Sequence, residues 1–297
     1  MSQRRYANKY YRMIDPLYDS ALDLAKRFKH LFLIGDRKAL SCNRTFKNSG
    51  KGKRCFILGN GPSLKLYDLS VLKGESVYCV NEFFRTGLID DVSPDNYFLA
   101  EPRYFLQDDP DDESKRFIES IKNIVDAGIG LWVPLLFKKK VTELFGDAEN
   151  IYFYKNNLSA EYLNKHFVSF DKCIPGMQAV LHYAILHAVY SGFDEIYLLG
   201  AEQTDVVNAI KYYSDPDAES EYAFKLNEKE KAWKIGLANN CTLPDKLYGY
   251  ARIFELYDEL SDYCSRMNVK IYNCSPGSLI KSIPYKDWKE LYEDKFT

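Results

Sequence analysis

The sequence predicts an α/β fold in which a mostly parallel sheet carries helices on both faces. Three observations point there. Short apolar runs recur along the chain, helical patterns separate them, and several runs end on a glycine or a polar residue. Parallel neighbours need a crossover between them, so strands that alternate with helices imply parallel pairing. A sheet covered on both sides reads as continuous hydrophobic runs rather than as alternation.

The elements follow in order. Residues 16–34 repeat Leu17, Ala21, Leu24, Ala25, Phe28 and Phe32 at helical spacing, with Lys26, Arg27 and Lys29 elsewhere. Such a helix either packs on the body or lies on an anionic lipid surface. Asn48-Ser49-Gly50-Lys51-Gly52-Lys53 has the composition of a flexible linker. Residues 1–53 are thus expected to form a basic helical arm and linker. The body opens with the run Arg54–Leu58 and continues with candidate strands at 77–80, 96–100, 131–133, 151–154, 195–199 and 269–272. Helical patterns lie at 113–127, 176–191 and 246–267. The second is apolar on all sides and therefore buried; Pro175-Gly176 fits its start and Gly192 its end. Residues 206–245 are acidic, turn-rich and then Lys/Glu-rich, the composition of an exposed insert, and long excursions after a strand are often lids. The body is expected to comprise residues 54–205 and 246–297, with 206–245 as the insert.

Bulk properties narrow the class. A chain of 297 residues, 46% hydrophobic, supports one large core. No apolar run is long enough to span a bilayer, and Met1 to Arg12 does not read as a secretory leader. Seven widely spaced cysteines without a C-x-x-C pair suggest free thiols in a reducing compartment and argue against a structural zinc site. Residues 1–54 hold 14 Lys and Arg against 4 Asp and Glu, while the whole chain carries −2, so the body is acidic. A nucleic-acid binder more often sets its basic groups among the folded elements.

In open parallel sheets ligands bind beyond the carboxyl ends of the strands. The polar residues expected there are Asn60, Ser63, Asn81, Glu101, Glu202 and Asn273. The strongest signal is Gly59-Asn60-Gly61-Pro62-Ser63-Leu64. Its glycines permit a tight turn and close approach of a ligand, and Pro62 suits a first helical turn whose free amides would favour an anion. It is neither a Walker loop nor a G-x-G-x-x-G fingerprint, since Leu64 takes the third glycine's place. Glu202 and Asp205 could bind ribose hydroxyls or act as a base, or belong to a solvated loop. Tyr212, Tyr213, Tyr222, Tyr248 and Tyr250 could stack on a base or donate to a phosphate. His182 and His187, inside the apolar helix, read as core histidines.

Four blocks together resemble a known group: Gly59-Asn60-Gly61-Pro62-Ser63-Leu64, Val80-Asn81-Glu82-Phe83, Gly192 to Gly200, and Ile271 to Leu279. They resemble the bacterial sialyltransferases of the Campylobacter lipooligosaccharide type, and related surface-polysaccharide and motility-accessory proteins with a pterin-pyrophosphokinase-like domain, over residues 54–285. The resemblance implies a Rossmann-like nucleotide-binding domain with a small lid and a CMP-linked nonulosonate donor. It implies no metal and no cofactor beyond the donor. By that analogy Asn60 and Asn81 contact the CMP, Gly176 lines the donor site, and Glu202 falls where the family has an aspartate; Gly59, Gly61 and Ser63 of the same loop are expected to bind the nucleotide with them. Lid tyrosines such as Tyr213 and Tyr248 hold the departing phosphate. The family's catalytic histidine has no counterpart in Leu247–Arg252, and Pro175 replaces a small hydroxyl residue. Glu101, Glu202 or Asp205 then remain as bases, with Tyr250 beside them, and Arg252 could steady a phosphate. 

The expected function is a glycosyltransferase of capsule or lipopolysaccharide biosynthesis, cytoplasmic and peripheral on the inner membrane, acting on a glycan or lipid-linked glycan and able to form homo-oligomers. The alternatives are a magnesium-dependent phosphotransferase, with Glu101, Glu202 and Asp205 as metal ligands, and a non-catalytic nucleotide-binding partner.

Overall fold

The computed structural model describes residues 34–100, 112–215, 223 and 242–292. Eight strands form one sheet: β1 (Arg54–Leu58), β2 (Ser76–Val80), β3 (Asn96–Phe98), β4 (Gly130–Pro134), β5 (Ile151–Leu158), β6 (Cys173–Pro175), β7 (Glu195–Leu199) and β8 (Lys270–Asn273). Their spatial order is β6-β5-β4-β3-β2-β1-β7-β8, and every neighbouring pair is parallel. The fold is α/β and Rossmann-like. From β1 the chain builds outward through β2 to β6, then returns to β1's other side with β7. The order therefore reverses between β1 and β7, the switch point beside which open α/β sheets commonly bind ligands.

Seven α-helices are described: α1 (Ile34–Ser41), α2 (Ile89–Val92), α3 (Asp112–Asp126), α4 (Lys138–Phe145), α5 (Val180–Tyr190), α6 (Asp205–Ser214) and α7 (Leu243–Arg266). The strands alternate between two cores. Cys55, Ile57, Tyr78, Val80, Phe98 and Trp132 face α5 and α7. Phe56, Leu58, Val77, Cys79, Tyr97 and Leu131 face α3 and α4. Both faces are dry, which explains why β1, β2 and β7 lack polar alternation. Burying one such aliphatic side chain stabilises by roughly 1.5–3 kcal/mol.

Every residue of α5 is buried, as its all-apolar surface requires. It begins at Val180 rather than at Gly176, because Cys173–Pro175 is extended and pairs with β5 as an edge strand. Proline is tolerated at such an edge, where no ladder partner needs its missing N–H. His187 sits among the rings of Phe46, Phe98, Trp132 and Phe170, with Nδ1 3.2 Å from the Tyr78 hydroxyl. His182 meets Tyr257 of α7 edge-on at 4.2 Å. Burial lowers both imidazole pKa values to about 3, with Arg252's charge adding to the effect at His182. Both are neutral core histidines.

The glycine-rich stretch 48–53 is held against the body. Asn48 N–H donates to Tyr190 O (3.3 Å) and Gly50 N–H to Ser191 O (2.8 Å). A Cβ on Gly50 would collide with the Phe193 ring, so glycine here serves close packing rather than flexibility. Asn43, fully buried, donates to Phe153 O and Phe170 O at 2.8 Å each, and so satisfies carbonyls at the sheet's edge. The expected helix at 16–34 lies outside the described residues. The expected insert begins as a helix: α6 starts at Asp205, and α7 starts at Leu243, capped by a reciprocal Thr242–Asp245 pair. Residues 216–222 and 224–241 lie outside the described residues. No described helix is long and apolar enough to cross a membrane. The six described cysteines are unbridged.

Candidate functional site

The loop after β1 is stitched to the chain after β7. Gly59 N–H donates to Leu199 O and Gly61 N–H to Gly200 O, both at 2.8 Å. Ser63 N–H then donates to Glu202 Oε1 at 2.5 Å. The β1–β7 pairing thus continues past the sheet as three further bonds. Pro62 opens only a short 3-10 turn, Pro62–Leu66, and not an α-helix. The Ser63 amide expected to face an anion is occupied by a carboxylate from the same chain.

Two glycines are required by this closeness. A Cβ on Gly61 would overlap Glu202 Oε2, and one on Gly59 would overlap Gly200 O. Gly61 has φ −73°, ordinary for any residue, so space alone demands glycine. Gly200 adds a left-handed φ of +62° and lies under Leu64. Glu202 is 4% exposed, and its Oε2 has no hydrogen-bond partner. Its backbone carbonyl accepts from Leu279 N–H at 2.9 Å. Below it, Ser275 Oγ accepts from Ala201 N–H (2.8 Å), and Asn273 Nδ2 and Ser278 Oγ both donate to Ala201 O (3.1 and 2.9 Å). The polar block after β8 therefore braces the Glu202 turn.

On the other flank, Asn60 Nδ2 donates to Val80 O at 3.3 Å, which leaves Oδ1 buried and unpartnered. Asn60 O accepts from Ala223 N–H at 3.0 Å. Asn81 follows β2 with φ +50°, a conformation that asparagine tolerates better than most residues. Tyr97's hydroxyl donates to Asn81 O at 2.6 Å and accepts from Phe84 N–H at 3.1 Å, holding that turn. Asn81 Oδ1 is also buried without a partner. Among the described residues, Asn60, Asn81 and Glu202 thus bring three acceptor oxygens without partners to the ends of the adjacent strands β1, β2 and β7.

Asp205 opens α6, and its Oδ2 accepts from the Tyr250 hydroxyl at 2.7 Å. Burial, and then the neighbouring carboxylate, push that phenol's pKa well above its ordinary value. Tyr250 therefore donates at neutral pH and does not act as a base. Arg252 turns along its own helix to Glu255 (3.1 Å) and Glu259 (3.0 Å). Tyr248 is partly exposed near the start of α7. Gly176 leaves β6 five strands from β1, its N–H donating to Leu158 O at 2.9 Å. The turn it opens leads into α5, whose Leu181 lies against Gly59. Glu101 and the side chain of Tyr213 lie outside the described residues. Among the described residues no group of three His, Cys, Asp or Glu side chains is placed to hold a metal ion.

Sequence reasoning missed the bracing residues Tyr97, Ser275 and Ser278, and the Ser63–Glu202 bond. Gly200, flanked by an apolar strand and Ala201-Glu202, was the available signal: a second glycine turn after β7 answers the one after β1.

A parallel sheet with a glycine turn on each side of its switch point, and polar acceptors at three strand ends, has the α/β architecture in which ligand sites commonly lie at the carboxyl edge. The chain matches no protein-family model and no curated protein. Among solved structures it is similar to the MAf glycosyltransferase from Magnetospirillum magneticum AMB-1, with 17% identity and a TM-score of 0.43. The match covers 86% of this chain and 38% of that one, so the chain spans well under half of that protein's length.

Proposed function

We propose that the protein is a glycosyltransferase that takes a nucleotide-activated sugar, CMP-linked by preference, at the carboxyl edge of β2, β1 and β7. The observation that carries this reading is the set of buried acceptors, Asn60 Oδ1, Asn81 Oδ1 and Glu202 Oε2, with no partner of their own. An unpaired buried acceptor costs about 1–3 kcal/mol, and a ligand donor recovers it. Three acceptors suit a ligand rich in donors. Ribose hydroxyls and the exocyclic amine of cytosine are such donors, whereas a phosphate offers chiefly acceptors. The reading therefore places the nucleoside, rather than the phosphate, against these three atoms.

In the proposed reaction an acceptor hydroxyl oxygen bonds to the sugar's anomeric carbon. The bond from that carbon to the phosphate oxygen breaks, and CMP leaves with the electron pair. The hydroxyl proton passes to a carboxylate. Asp205, steadied by Tyr250, is the proposed base, and Glu202 orients the nucleotide by holding the Gly59–Ser63 loop. The acceptor is a surface glycan or its lipid-linked precursor.

Calorimetric titration with CMP, UDP, GDP and ATP, each with magnesium and with EDTA, tests the reading. CMP binding that is indifferent to EDTA supports it. Magnesium-dependent ATP or GTP binding without CMP binding overturns it in favour of phosphoryl transfer.

A further inference from the structure

The large apolar side chains that the described residues expose are not scattered. Several can be placed at the carboxyl edge: Leu136 stands two residues past β4, Leu279 N–H bonds Glu202 O beyond β7, and Tyr285 bridges Asn273 at the end of β8. Leu66 follows β1, Leu136 follows β4, Val207 and Ile210 follow β7, and Leu279 and Tyr285 follow β8. Leu136 is 83% exposed and Leu66 71%. Single exposed leucines are ordinary, but their gathering on the edge that carries the candidate site is not.

Lysines interleave with them. Exposed Lys65 adjoins Leu66, exposed Lys138 and Lys139 follow Leu136, and exposed Lys281 follows Leu279. Lys139 is 93% exposed at its side chain, with Glu143 4.0 Å away. Lys138 lies over the Phe153 ring and near enough to Cys42 to act on its thiol. α1 joins the same corner, because its Asp36 pairs with Lys155 at 2.5 Å, one residue past the level of Pro134 at the end of β4. The Leu136 corner stands three strand spacings from β1, or ~14 Å at ~4.8 Å per strand.

We infer that the carboxyl edge of the sheet docks on an anionic lipid bilayer. Leu136, Leu66 and Leu279 enter the headgroup boundary, and the neighbouring lysines meet lipid phosphates. Apolar tips with lysines beside them along the chain match that interface, where one end of the contact is greasy and the other charged. Docked this way, the candidate site faces the membrane plane, where a lipid-linked acceptor resides. This deepens the transferase reading by locating its acceptor, but the surface and its test do not depend on which nucleotide binds.

The experiment is co-sedimentation of the full chain with vesicles of equal parts phosphatidylglycerol and phosphatidylcholine, and with phosphatidylcholine alone. The wild type is expected to bind the anionic vesicles and to leave the neutral ones. Lys138→Glu/Lys139→Glu should weaken partitioning by about tenfold or more, and Leu136→Ser by a few fold. Lys51→Glu/Lys53→Glu, exposed at the opposite edge just before β1, should leave it unchanged. All these side chains are exposed, so unfolding temperatures should match the wild type. Equal binding to both vesicle types, no binding, or an equal loss in the Lys51/Lys53 variant would overturn the inference. So would retention of single-stranded RNA without vesicle binding. Nucleotide titration of the same variants keeps the two readings separable.

Discussion

Two of the described regions that bury polar atoms without partners differ in one respect. At the carboxyl edge, Asn60, Asn81 and Glu202 present such atoms from the turns that follow β1, β2 and β7. Inside α5, His187 Nε2 and both ring nitrogens of His182 are equally unpartnered, but aromatic side chains and α7 enclose them. The first set can be satisfied by something that arrives. The second cannot, and its cost is borne by the fold. An unsatisfied buried atom is therefore a pointer to function only where a ligand has a way in.

The acid limb of stability should give the largest effect. An unfolded histidine takes a proton below about 6.5, whereas His182 and His187 take one only near 3 when folded. Their contribution is complete above pH 6.5 and declines as the pH falls towards 3, at ~2 kcal/mol per histidine between pH 6.5 and 5. Urea unfolding across that range should show the decline, and the variant His182→Leu/His187→Leu should flatten it. If that variant also lost nucleotide binding at pH 7.5, the separation of the two regions would fail.

Next comes Gly61→Ala. Its methyl group would occupy the space of the Glu202 carboxylate, so the loop must open. Nucleotide affinity measured by calorimetry should fall by at least ~30-fold, or ~2 kcal/mol. Glu202→Gln keeps the shape and the bond from Ser63 but removes the charge, and one of its amide protons replaces an acceptor. A loss of about tenfold in affinity with little change in unfolding temperature is expected. An unchanged affinity would show that no ligand hydroxyl meets Oε2. The smallest effect belongs to Tyr250→Phe, which removes the hydroxyl shared between the Asp205 carboxylate and its backbone carbonyl. About 1 kcal/mol of stability should go, with turnover of a CMP-sugar reduced more than its KM is raised. A purely structural tyrosine would leave that ratio alone.

Much of the fold was legible because burial on both faces writes itself into the sequence. The runs at 54–58 and 195–199 are apolar at nearly every position, and the helices at 112–126 and 243–266 appear within a few residues of their expected bounds. β6 was not legible. Three residues ending in proline carry no period, and only the edge of β5 makes them a strand. The site was half legible. Asn60, Asn81 and Glu202 each stand at a strand end, where polarity after an apolar run is conspicuous. What could not be read was that Glu202 binds Ser63, since nothing local links two residues separated by 139 positions. The stretch 48–53 misled in the opposite sense, because glycine marks tight packing against Phe193 as readily as it marks a linker.

That separation also sets an order of events during synthesis. The Gly59–Ser63 turn leaves the ribosome before its partners, because the backbone and carboxylate that hold it belong to residues 199–202. At ~5–20 residues per second, roughly 7 to 28 s pass before its partner exists. Until then the strand that will lie at the centre of the sheet has one open edge and an unformed turn. The nascent chain therefore spends that interval with this turn unmade, and the turn closes only once Leu199–Glu202 has been synthesised.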